Sequence, residues 1–167
     1  MDTPATSGNP MLENIGPASY AMRADVPDRT VHGAAKIMPM RLLPDYRIYE
    51  KDPDPRGLPV KACDGLVAGT IADVWVDRSE PQVRYYEVQT PNGGRRVLLP
   101  AGFVQWPNFG LWGCDHVIVK SITAAQFADV PATAREDQIT LLEEDKIMAY
   151  YAGGHLYATP DRAEPLV

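Results

Sequence analysis

The chain has 167 residues, 45% of them apolar, and a net charge of −6 at neutral pH. That composition supports one domain with a core of ordinary size plus an extended arm. The acidic balance argues against non-specific nucleic-acid binding, which needs a basic field to displace phosphate counterions.

Residues 1–56 carry Pro4, Pro10, Pro17, Pro27, Pro39, Pro44, Pro53 and Pro55, with Gly8, Gly16 and Gly33 between them. Such punctuation excludes a long helix or a central strand. Met11, Leu12, Ile15, Tyr20, Ile37, Met38, Met40, Leu42, Leu43 and Tyr46 are nevertheless too apolar to leave in water at no cost. The segment therefore reads as an extended arm lying on the domain or on a partner, with a disordered leader as the competing reading. No run approaches the roughly 18 apolar residues of a membrane span, and Asp2 and Glu13 fall where a secretory leader would need basic and then apolar residues.

From Gly57 the pattern turns to strands. Leu58–Ala62 is a short strand followed by an Asp64-Gly65 turn. Thr70–Asp77 and Val83–Thr90 form the clearest hairpin, with Ile71, Asp73, Trp75 and Asp77 expected on one face and Ala72, Val74 and Val76 on the other. Its link, Arg78 to Gln82, contains Pro81 and is a loop, so Glu80 sits at a tip with Asp77 and Arg84 near it. Pro91-Asn92-Gly93-Gly94 turns the chain into a strand over Arg95–Leu99, since Asn-Gly supplies the positive φ that tight hairpins need. Gly102–Trp106 and Asp115–Ser121 complete six short strands, which predict a mainly β fold: a small antiparallel barrel or sandwich.

Beyond Ser121 the period becomes helical. Thr123–Ala128 predicts one or two turns and Ile139–Tyr157 a longer helix, opened by a Thr140/Glu143 capping box and an acidic first turn of Glu143, Glu144 and Asp145. Gly153-Gly154 either ends that helix or admits a close neighbour. Pro160–Val167 is polar and expected to fray. The expected division is an arm over 1–56, a barrel over 57–122, a helical segment over 123–160 and a tail over 161–167.

The chain shows no P-loop, GxGxxG, GxSxG, HExxH or EF-hand pattern. His32, His116 and His155 stand far apart with no second ligand at metal spacing, and Cys63 and Cys114 read as ordinary buried thiols. What stands out is Asp73, Asp77, Glu80, Arg84 and Glu87 within one hairpin. Either this is a solvated hairpin end worth little, or a partner covers it. Carboxylates buried together share protons and titrate as a set.

Eight stretches in order, GPASYA (16–21), HGAAKIMPM (32–40), GLPVKACDG (57–65), AGTIADVWVD (68–77), RYYEV (84–88), RRVLLP (95–100), SITAAQFADVP (121–131) and ITLLEEDKIMAYYAGGHLYA (139–158), resemble the H subunit of the bacterial photosynthetic reaction centre in its cytoplasmic PRC-barrel part. The resemblance covers about residues 8 to 160. It implies a PRC-type barrel and no active site in this chain. The subunit would cap the cytoplasmic face of the L and M subunits and pass protons to the secondary quinone. Light-harvesting subunits and lipid are further candidate neighbours. Quinones, bacteriochlorophyll, bacteriopheophytin and non-haem iron are implied on L and M, with no cofactor or metal on this chain. The family's single membrane helix is expected to lie outside this chain, leaving it peripheral on the cytoplasmic side.

Carried over position by position, the resemblance puts the family's relay glutamate on Glu80, with Asp77 and Arg84 as charged companions. His32 falls on the first of two proton-uptake histidines. Ala34 replaces the second and Thr30 a nearby aspartate. Lys36, Glu143 and Glu144 match positions around the interface. The competing reading is a free-standing PRC-barrel adaptor, for example in ribosomal RNA maturation, because fold does not fix function. The acidic charge and the long arm speak against it.

Overall fold

The computed structural model describes residues 8–107 and 113–163. Six strands form a single mixed sheet: β1 (Ile37–Pro39), β2 (Pro59–Lys61), β3 (Val67–Asp77), β4 (Gln82–Gln89), β5 (Arg96–Pro100) and β6 (Val117–Ile118). Their order is β5-β4-β3-β2-β6, with β1 also pairing β3. The chain is mainly β, with one long helix, α1 (Leu141–Tyr157). The expected antiparallel sheet needs one correction: β2 and β6 run parallel, Val60 opposite Val117. They can, because a long excursion through β3, β4 and β5 separates them, as a parallel pair requires.

β3 is the spine. One side pairs along its length with β4. Its other side is shared, β2 covering the first half and β1 the last three residues. So the Pro-rich arm does contribute a strand, a short one in which Pro39 takes the end position that a residue without an N–H tolerates. The Asn-Gly turn between β4 and β5 forms as expected, with Asn92 at φ 59° and Gly93 at φ 69°.

Two predicted strands fare differently. Gly102–Trp106 is not a strand: Ala101–Phe103 is a 3-10 turn and Gln105 makes one isolated bridge to Ile118. Its aromatic residues are used for packing instead, Phe103 against His155 and Tyr151, and Trp106 against Tyr86. Asp115–Ser121 shrinks to the two residues of β6. Thr123–Ala128 is a 3-10 turn over Ala125–Asp129.

α1 begins at the capping box. Thr140 Oγ1 accepts from the Glu143 N–H at 3.1 Å, and Glu143 Oε2 accepts from the Thr140 N–H at 2.8 Å. Gly153 and Gly154 lie within the helix, which runs on past them. A Cβ on Gly153 would stand 2.6 Å from Ala18 Cβ, and one on Gly154 2.5 Å from the Ser121 carbonyl oxygen. The pair therefore lets the arm and the 121–122 backbone close on either side of the helix. The described part of the tail is held rather than frayed: Arg162 donates to the carbonyls of Ser121, Gly154 and Lys120.

The core joins Ile71, Val74, Trp75, Val88 and Leu99 of the sheet to Phe127, Ile147, Tyr150 and Tyr151. Ile71 and Val74, expected on opposite faces, both enter it because β3 is bulged at Ala72. The arm joins this core through Met11, Ile37 and Met40. Burying one such side chain stabilises by about 1.5–3 kcal/mol. The arm's other side leaves Ile15, Met22, Val26, Val31 and Tyr49 exposed.

Candidate functional site

The hairpin end is built by a second irregularity in the β3–β4 ladder. Trp75 faces Tyr85 and Val76 faces Val83, so Arg84 is an extra residue with no cross-strand partner. A bulge of this kind re-aims its side chain. Arg84 Nη1 reaches Asp77 Oδ2 at 3.3 Å, and Nη2 reaches Glu144 Oε1 on α1 at 3.5 Å.

Asp77 is the hub. Its side chain is 2% exposed. Oδ1 accepts from the N–H groups of Ser79 at 2.8 Å and Glu80 at 3.3 Å, which shapes the loop. Oδ2 faces Arg84 and, at 3.7 Å, the Lys36 ammonium. Lys36 also pairs with Asp28 at 3.5 Å. The arm arrives there because β1 sets Ile37 opposite Asp77, while Arg78 donates to the carbonyls of Lys36 and Ala35. Beyond Arg84, the Tyr85 hydroxyl donates to Glu144 Oε1 at 3.0 Å. A continuous run of ionisable groups thus links the arm, the hairpin and the helix: Asp28, Lys36, Asp77, Arg84, Glu144, Tyr85.

Burial raises the Glu144 pKa above the ordinary glutamate value. The hydrogen bond from Tyr85 and the charges of Arg84 and Arg23 lower it without cancelling the effect. Burial beside Glu144 likewise drives the Tyr85 phenol far up, so it remains a donor.

Of the residues singled out in the sequence, the structure brings together Asp77, Arg84, Lys36 and Glu144. Glu80 sits at the exposed loop tip, joined to the run only through its own N–H, and its carboxylate makes no bond among the described residues. His32 is exposed in a turn closed by the Thr30 N–H to the Ala34 carbonyl, with no bond to the cluster among the described residues. Glu143 serves the structure, since Oε1 accepts from the Ala134 N–H at 2.7 Å while Oε2 closes the helix cap. Asp28 and Tyr85 escaped sequence reasoning, because neither lies at a recognisable spacing from Asp77.

A second carboxylate pair, Asp73 and Glu87, faces across the same two strands. Arg41 of the arm bridges them, at 3.2 Å to Asp73 and 2.7 Å to Glu87. Glu87 also accepts from Trp75 Nε1 at 2.7 Å and Arg96 Nη1 at 3.0 Å. Burial pushes the Glu87 carboxyl up, but these donors and the arginine charges outweigh it and leave its pKa below the usual value.

No group of three or more His, Cys, Asp or Glu among the described residues could hold a metal ion. Cys63 and Cys114 are half-buried rather than fully buried. No helix among the described residues is long and apolar enough to cross a membrane.

The six-stranded sheet, with its charged hairpin end, is that of a PRC-barrel domain, whose family model matches residues 48–125. Ahead of it, residues 3–42 match the family described as the photosynthetic reaction centre H-chain, N-terminal region. With both regions present in this order, the chain belongs to the H-subunit type of photosynthetic reaction-centre protein. It is thereby a member of a non-catalytic subunit family of a membrane-associated complex.

Proposed function

We propose that this chain caps the cytoplasmic face of the L and M subunits, stabilises the complex and conducts protons toward the secondary quinone. Reduction of that quinone to quinol takes up two electrons and two protons at a site sealed from water. Protons therefore need a path of ionisable groups through protein.

One observation carries this reading: the buried Asp77 carboxylate, set between Lys36 and Arg84 and continued by Arg84 to Glu144. The Lys36 ammonium and the Arg84 guanidinium both face Oδ2 and offset the cost of burying this carboxylate. Glu144, with its pKa raised, holds a proton more readily than an exposed glutamate does. Glu80 extends the run outward at the loop tip, where a covering subunit would desolvate it. The apolar residues on the outer side of the arm support the capping role, because an isolated domain gains nothing by exposing them.

The test is made in the assembled reaction centre. Asp77→Asn and Glu80→Gln are each expected to slow the proton-coupled second electron transfer by about tenfold or more, with the complex still formed. Unchanged rates in both variants would remove this hairpin from the path.

A further inference from the structure

A cleft of about 550 Å³ opens over Trp75, Glu87 and Leu98 of the sheet, apart from the Asp77 cluster. Arg41 comes to it from the arm, Arg95 and Arg96 from the start of β5, and Ala132, Thr133 and Glu136 from the loop before α1. Its volume falls within the range of small-molecule sites.

The three arginines share this cleft with Glu87 and Glu136 and are unequally engaged. Arg41 is engaged by Asp73 and Glu87, and donates to the Glu136 carbonyl at 2.8 Å. Arg96 shares Glu87 with it, through Nη1 alone, and its Nε goes to Gln89 Oε1 at 3.1 Å. Arg95 has no ion pair among the described residues. It is held by backbone carbonyls, Nη1 by Ala128 at 2.7 Å and Nη2 by Val130 at 2.5 Å. Carbonyls fix a guanidinium without neutralising it. Glu87, at the floor, is already served by three donors. Arg95 Nε and Arg96 Nη2 remain without an acceptor among the described residues. The apolar floor of Trp75 and Leu98 lies beside them.

We propose that this cleft binds an oxyanion of the phosphate type. Two adjacent guanidiniums suit an anion with several oxygens, because each fork donates to more than one. The rigid carbonyl anchors place these donors before a ligand arrives, which lowers the ordering cost of binding. The same chemistry is offered by a phospholipid headgroup and by a soluble phosphate ester.

The test uses the full chain and reads the side-chain N–H signals of Arg95, Arg96 and Trp75 by NMR. Inorganic phosphate is expected to shift them saturably, and chloride at matched ionic strength is not. Arg96→Gln, which leaves the Arg95 anchors intact, is expected to weaken phosphate binding by about tenfold, the scale of one charge-assisted bond. A response to chloride equal to that of phosphate, or undiminished binding in Arg96→Gln, overturns the proposal. Dihexanoyl phosphatidate then separates the sources. Binding about tenfold or more tighter than inorganic phosphate assigns a lipid headgroup, with the Trp75–Leu98 floor taking the chains. Equal affinity assigns a soluble phosphate ester, and failure of both probes to bind overturns the site.

Discussion

Glu87 and Glu144 are both buried glutamates within reach of an arginine, yet their proton affinities move in opposite directions. Glu87 collects Arg41, Arg96 and Trp75, and its pKa falls. Glu144 has a neutral phenol at 3.0 Å and one arginine at 3.5 Å, and its pKa rises. Burial alone thus does not set protonation. The number and closeness of charged donors decide whether desolvation wins. One hairpin thereby carries a clasp in which Arg41 bridges Asp73 and Glu87, while its tip leads toward Glu144, whose proton affinity is raised.

Breaking the clasp should have the largest effect on stability. Glu87→Leu leaves Arg41, Arg96 and the Trp75 indole N–H without their buried acceptor, and is expected to cost about 2–4 kcal/mol in urea unfolding. Because Arg41 ties the arm to the sheet, hydrogen exchange at β1 should accelerate in the same variant. Equal protection of β1 in variant and wild type would show that β1 pairing and Met40 hold the arm unaided.

At the other cluster, Tyr85→Phe removes a donor to Glu144 and should cost about 1 kcal/mol. It should also raise the Glu144 pKa further, since a bond to the charged form is lost, and carboxyl NMR titration checks the direction.

The subtlest contrast lies in the pH dependence. Glu87, with its folded pKa depressed, contributes stability that is present above the ordinary glutamate value and lost as pH falls through the folded pKa. Glu144 acts in the opposite sense. Its raised folded pKa contributes stability below the ordinary value, which is lost as pH rises through the folded pKa. Glu144→Gln should therefore flatten the stability profile on the alkaline side of the ordinary glutamate value, while Glu87→Gln should flatten it on the acid side. Urea unfolding on both sides of that value distinguishes the two, and identical profiles for both variants would contradict the comparison.

Much of the fold was legible because its signals are local. The Asn92-Gly93 turn, the β3–β4 hairpin and the Thr140/Glu143 cap each depend on residues within a few positions of one another. The Gly102–Trp106 segment misled because its alternation of apolar residues fits packing against α1 as well as it fits a strand. The parallel β2–β6 pair and the strand in the arm depend on partners more than 35 residues away in sequence. Asp77 and Arg84 were legible as neighbours on one hairpin. Glu144, 60 residues beyond Arg84, and Arg41, 46 before Glu87, were not legible as their partners.

By itself the sequence determined which residues turn, cap and alternate, and that carboxylates would crowd one hairpin, because short-range backbone preferences and side-chain period settle those matters. Only the tertiary structure decided which of those carboxylates meet charged donors. It did so through two bulges in the β3–β4 ladder and through the docking of the arm and α1, which bring arginines and a tyrosine from distant parts of the chain to some carboxylates and not to others. Charge state in a buried site follows from distance and desolvation, and both are properties of the packed molecule.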